Sequence, residues 1–269
     1  MREIVLVVAA EALDGVLDRL LPLVPDGVRE RRRGERRVEL TMRGAELPET
    51  TRIEGALAGI AHEISERHIS DDWRERRLAE YRLAPIGGRL AVRPPWAPAV
   101  GGDMIEIVLG EGGAFGQATH PTTRGCLEML LDLAPRGSFA DLGCGTGVLA
   151  ILACRLGWSP VCAIDLQPGS VQAAAENAAR NGVTIATRVA NLLHESASAF
   201  DGFAANVPAP VHVRIASGWR RAEAPATGLI SGLGPHEAPA VVAAYARCGL
   251  RERRRVELQG WVISELIRG

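Results

Sequence analysis

Four stretches of this chain hold residues whose types and spacing could do chemistry. In "ADLGCGTGVLAI" the glycines Gly143, Gly145 and Gly147 stand between a strand-like and a helix-like segment. Glycine there lets the backbone turn tightly and lets a ligand approach without meeting a Cβ. Alone, the pattern suits a plain strand-to-helix turn equally well. The next strand-like piece, "VCAID", ends in Asp165, about twenty residues further on, where a carboxylate can accept from both hydroxyls of a ribose. "FDGFAANVPAP" ends a third strand in Asn206, whose amide oxygen can hold an amine N–H. Pro208 lacks an N–H, so the turn after Asn206 is expected to offer carbonyls without a competing donor.

The residue before the glycines narrows the ligand. Asp141 is expected at the mouth of the site, where a carboxylate repels pyrophosphate but suits an ammonium or sulfonium. S-adenosylmethionine carries both cations and no phosphate, which favours it over a dinucleotide. A fourth stretch, "GGAFGQATHPTTRG" (residues 112–125), is acid-free, hydroxyl-rich and placed just before a helix-like segment. A hydroxyl at a helix start can bond a carboxylate, and a neutral loop keeps fixed charge away from a sulfonium. His120 is read as shaping that loop rather than as a base.

These residues need a frame. From "SFADLG" onwards, strand-like pieces alternate with helix-like pieces at about 121–134, 146–156, 169–181, 209–222 and 236–248, with stops expected at Gly157, Gly182 and Gly249. Such alternation predicts a doubly wound, mostly parallel α/β sheet with helices on both faces. The tail "LRERRRVELQGWVISELIR" reads as two strands turned at Gln259-Gly260, so the sheet ends in a hairpin. The first 66 residues read as a small β-α-β-β-α-β, ferredoxin-like α+β domain. Its arginine-rich hairpin turns at Gly34, and "TRIEGALAGIAHEISER" reads as a helix with Ile53, Leu57, Ile60 and Ile64 on one stripe. Residues 67–80 form a linker, and residues 81–269 the larger domain.

Composition excludes several classes. The 269 residues are 47% hydrophobic and 23% charged with a formal net charge of -1, which argues against diffuse attraction to nucleic acid or anionic membranes. No apolar run is long enough to span a bilayer, and the start "MREIVLVVAAEALDG" reads as a strand rather than a signal peptide. Five cysteines without a C-x-x-C pair point to a reduced, cytoplasmic setting and away from zinc or disulfides. All 31 basic residues are arginine; codon usage is the plain explanation.

The runs "GAFGQATHPTTRGCLEML", "DLGCGTGVLAILACRLG", "AIDLQPGSVQAAAENAARNGV" and "ANVPAP" together resemble the ribosomal protein L11 methyltransferases, over about residues 70 to 269. The resemblance implies a seven-stranded Rossmann-like methyltransferase sheet and S-adenosylmethionine as cofactor. It places Thr123, Gly143, Gly145, Asp165 and Asn206 in cofactor contact, with Asn206 also at the acceptor amine as the catalytic residue. It further implies a monomer that methylates lysine side chains and/or the N-terminal α-amine of a large-subunit ribosomal protein, recognised by the small domain. Two stretches depart from the family pattern: Gly116-Gln117-Ala118 replaces a glycine-threonine-glycine step, and Val207-Pro208-Ala209-Pro210 replaces isoleucine-leucine-alanine-glycine-proline. The second resembles the acceptor motif of other amino-methyltransferases. A small-molecule N-methyltransferase, or a non-enzymatic ribosome- or RNA-binding module, are the alternative readings.

Overall fold

The computed structural model describes residues 2–24, 28–34, 36–44, 47–68, 85–110, 118, 120–195 and 200–269. Most of the expected linker, residues 81–84, and Phe115, Gly116 and Gln117 lie outside the described residues. The described residues up to His68 form one compact unit, and those from Pro85 onward form a second.

In the first unit the elements run β1 (Arg2–Ala9), α1 (Leu13–Leu20), β2 (Arg29–Arg33), β3 (Arg37–Gly44), α2 (Thr50–Ala56) and β4 (His62–His68). The strands lie in the order β2-β3-β1-β4, with every pair antiparallel. This is the ferredoxin-like arrangement. Period-two alternation in β1 buries Ile4, Leu6 and Val8 together with Val38, Leu40 and Met42 of β3, and the helices bring Val16, Leu20, Ile53 and Leu57 onto that face. One expectation needs correction. The helical stripe ends before Ile64, because α2 stops at Ala56 and Gly59 takes a left-handed φ of 85°. Ile64 belongs to β4, opposite Leu6. Pairing along the open edge of β1 outweighs the local helical period there.

The second unit begins with a pair the sequence did not reveal. Strands β5 (Leu90–Arg93) and β6 (Ile105–Val108) make a two-stranded parallel sheet. The remaining elements are α3 (Pro121–Leu130), β7 (Phe139–Leu142), α4 (Val148–Leu156), β8 (Val161–Asp165), α5 (Pro168–Arg180), β9 (Ala186–Val189), β10 (Gly202–Asn206), α6 (Ala209–Ser217), β11 (Thr227–Leu233), α7 (Ala238–Arg247), β12 (Leu250–Leu258) and β13 (Trp261–Arg268). Seven strands lie in the order β12-β13-β11-β10-β7-β8-β9. The pairs from β11 through β10, β7 and β8 to β9 are parallel, while β13 runs antiparallel to both β11 and β12. Gln259 and Gly260 both have positive φ, 51° and 81°, as a two-residue turn matching strand twist requires.

The central strands β7, β10 and β11 are buried on both faces. Phe139, Ala163, Ala204 and Leu229 face α3, α4 and α5; Leu142, Ile164, Phe203 and Ile230 face α6 and α7. From the central strand β7 the chain winds first toward β8 and then back to β10. The carboxyl ends of β7, β8 and β10 therefore meet at the point where strand order reverses, where open α/β sheets bind ligands.

Candidate active site

At the end of β7 the chain must turn sharply into α4. Gly143, Gly145 and Gly147 have φ of 82°, 51° and 76°, all left-handed. The turn is tied to the neighbouring strand, since the N–H groups of Gly143 and Cys144 both donate to the Ile164 carbonyl, at 2.8 and 3.0 Å. A Cβ on Gly143 would lie 2.4 Å from a Val207 methyl, and one on Gly147 would lie 2.8 Å from the Ala174 methyl. Bare backbone here thus serves close packing on both sides of the loop.

Asp165 ends β8 beside this loop. One carboxylate oxygen accepts the Gly145 N–H at 3.0 Å and the other the Gln167 N–H at 2.9 Å. A carboxylate has about four acceptor directions, so each oxygen keeps capacity for a ligand hydroxyl.

Asp141 departs from expectation. It is 1% exposed and points, with Phe139, to the α4 face of the sheet. There its carboxylate accepts the Ala150 N–H at 3.1 Å, in the first turn of α4, where unpaired helix N–H groups favour negative charge. Burial pushes its pKa up to about 7. Alternation along β7 turns the side chain beneath the loop, so it does not stand at an open mouth.

The opposite wall is the start of α3. His120 is its N-cap and Pro121 opens the helix, a combination that suits a residue with extended backbone followed by a fixed φ. Thr122 and Thr123 are each 1% exposed. The Asn206 amide nitrogen donates to the Thr122 hydroxyl at 3.0 Å and lies 3.5 Å from that of Thr123. Among the described residues nothing bonds the Asn206 amide oxygen. The resemblance singles out Thr123 for the cofactor; of the two hydroxyls, that of Thr122 lies nearer the Asn206 amide.

The turn after Asn206 also differs from expectation. The Pro208 carbonyl is taken by the N–H groups of Val211 and His212, at 3.0 and 3.3 Å, because Pro208 is the N-cap of α6. It is not free for an amine. Val207 donates its N–H to Ser231 at 3.2 Å and presses on Gly232, where a Cβ would stand 2.7 Å from the Val207 carbonyl oxygen. His212 pins the same turn from below. It is fully buried, bonds the Ser231 carbonyl at 2.9 Å and the Tyr245 hydroxyl at 3.0 Å, and burial pushes its pKa down to about 4.

A sequence profile of the ribosomal protein L11 methyltransferases matches residues 42–268. The chain belongs to the ribosomal protein L11 methyltransferase family. Among named family members, the one from Pelotomaculum thermopropionicum is 38% identical over 77% of this chain and 69% of its own length. That from Gloeobacter violaceus is 35% identical over 84% of this chain and 66% of its own. The match to the Laribacter hongkongensis member, at 40% identity, covers 51% of this chain and 46% of that protein. The crystal structure of a ribosomal protein L11 methylase from Lactobacillus delbrueckii subsp. bulgaricus superposes with a TM-score of 0.59 at 27% identity, over 70% of this chain and 98% of that one.

As a family member the protein is a methyltransferase with S-adenosylmethionine as cofactor. The residues present fit that group: a bare glycine turn, a carboxylate with spare acceptor capacity at the end of β8, and hydroxyls at a helix start. Among the described residues no cluster of histidine, cysteine and carboxylate side chains could hold a metal ion, and no helix is long and apolar enough to cross a membrane.

Proposed function

We propose that the protein methylates amines of ribosomal protein L11, namely lysine side chains and/or the N-terminal α-amine. The observation that carries this reading is the Asn206 amide at the carboxyl edge beside the glycine turn, with its nitrogen held by Thr122 and its oxygen unbonded among the described residues. When bound, S-adenosylmethionine supplies an already activated sulfonium methyl. Asp165 would take the ribose hydroxyls, and the Gly143 and Gly145 backbones would allow close approach. The Thr123 hydroxyl and the α3 N-terminus would take the cofactor carboxylate. The Asn206 oxygen would accept an N–H of the acceptor and aim the nitrogen lone pair at the methyl.

An amine attacks only when neutral, and a lysine in water has a pKa of about 10.4. Burial against these walls lowers it, so positioning and desolvation carry the reaction without a strong base. The ferredoxin-like unit has its own core and holds none of these residues, which supports a role in recognising the acceptor protein. Because L11 is a ribosomal protein, the reading places the enzyme in the cytoplasm.

The test is methyl transfer from labelled cofactor into extract of a strain lacking this gene. Label in a band of L11 size, dependent on added protein, is expected. Label confined to small molecules, or none, would overturn the acceptor.

A further inference from the structure

We propose that His120 is a positioning residue for this reaction: through the Thr122 hydroxyl it fixes which end of the Asn206 amide faces the acceptor. The inference rests on the reading of Asn206 as the group that holds the acceptor amine.

The argument is a count of hydrogens. The His120 Nδ1 lies 2.7 Å from the Thr122 hydroxyl oxygen and also accepts the Thr122 backbone N–H at 3.3 Å. An atom accepting an N–H has no proton of its own, so the neutral ring carries its hydrogen on Nε2. The bond between His120 and Thr122 is then donated by the hydroxyl. A hydroxyl has one hydrogen, and it is spent on the imidazole. What remains toward Asn206, 3.0 Å away, are lone pairs. Only the amide nitrogen can use them. The amide oxygen is therefore turned the other way, toward the site.

Without His120 the hydroxyl is free to rotate and donate to the amide oxygen instead. The amide could then flip and present N–H groups to an amine that needs an acceptor. Thr123, at 3.5 Å, is too far to hold the orientation by itself. Two features suit the ring to this task. Trp261 of β13 meets it edge-on, with centroids 5.4 Å apart, and burial pushes its pKa down, which favours the neutral form.

The experiment is a double-mutant cycle on the full-length protein, with L11 as acceptor and cofactor affinity measured by calorimetry. His120→Ala and Thr122→Val are each expected to lower kcat about fivefold to tenfold, the worth of one neutral hydrogen bond, with cofactor Kd unchanged within about twofold. In the double variant kcat should fall no further than in Thr122→Val alone, because His120 acts through that hydroxyl. His120→Asn, whose amide oxygen can accept both Thr122 bonds and keep the helix cap, should restore the rate. Losses that multiply in the double variant, or no rescue by His120→Asn, would overturn the proposal. A purely structural cap would lower the melting temperature without this coupling.

The imidazole nitrogen spectrum gives a readout free of activity. Nδ1 should be unprotonated in the wild type, and its resonance should move in Thr122→Val. A protonated Nδ1 would sink the relay. If the wild type leaves L11 unmodified, the acceptor reading falls while this spectrum still decides the hydrogen-bond chain.

Discussion

At the scale of single residues, the proposed function divides the site into groups that would hold the cofactor and one that would hold the acceptor. Asp165→Ala should weaken S-adenosylmethionine binding by about 1.5–3 kcal/mol, the range for hydrogen bonds to a charged group. Part of that change would come from freeing the Gly145 N–H it now satisfies. Calorimetry on the folded variant checks it, and unchanged affinity would remove the ribose role. Asn206→Ala should instead lower kcat more than cofactor affinity, because its contact matters most in the aligned transition state. Asn206→Asp keeps an acceptor but adds a negative charge that favours a protonated amine, so the pH optimum should rise. Rate–pH curves for both variants separate these outcomes. If both lose only cofactor affinity, Asn206 merely binds.

At the scale of elements, the site depends on how closely β11 and α6 press against the turn that follows Asn206. Gly232 has a φ of 84°, and a Cβ there would meet the Val207 nitrogen, carbonyl carbon and oxygen within 2.7–3.1 Å. Backbone cannot rotate aside as a side chain can. Gly232→Ala should cost roughly 1–3 kcal/mol in urea unfolding and lower activity, since the turn must move. A variant as stable and active as the parent would show that the turn tolerates displacement. His212 ties α6 to β11 and α7 in its neutral form. Its folded pKa of about 4 lies below the ordinary 6.5, so only the unfolded chain takes up this proton between those values. The resulting stability is complete above pH 6.5 and lost as pH falls toward 4, by about 3 kcal/mol. His212→Gln lacks this titration, so its deficit against the parent should shrink between pH 7.5 and 4.5. A constant deficit would show that another group dominates.

Across the whole molecule, two units have separate cores, and the proposed function gives them separate tasks. Ile4, Leu6, Leu40 and Ile53 centre one, while Phe139, Leu142, Ile151 and Phe203 belong to the other. Deleting residues 1–68 should leave S-adenosylmethionine binding intact and abolish methylation of L11. Calorimetry and a transfer assay on the truncated protein decide it. Transfer to L11 at the full rate would move recognition into the catalytic unit. The arginines of edge strand β12 are poor candidates for docking nucleic acid. Arg253 pairs with Glu265, Arg254 with Asp132 and Arg255 with Glu252, so their charge is largely spent within the protein. A charged edge also resists pairing with other chains.

Much of this was legible in the residues themselves. Period-two and helical stretches with glycine stops marked the alternating elements, because burial on both sheet faces leaves long apolar runs that punctuation divides. Gly143, Gly145 and Asp165 could be picked out, since a tight turn and a strand-end acid depend on local chain geometry. The closing hairpin announced itself through Gln259-Gly260, whose positive φ values are a local demand. What depends on distant partners stayed hidden. Ile64 fitted a helix until the free edge of β1 claimed it, and Asp141 looked open until alternation and α4 buried it. Whether Thr122 or Thr123 would reach Asn206 was set by how α3, far earlier in the chain, lands across the end of β10. The direction of each hydrogen bond from His120 to Asn206 was likewise decided only once three residues spread over 86 positions stood within about 3 Å of their neighbours.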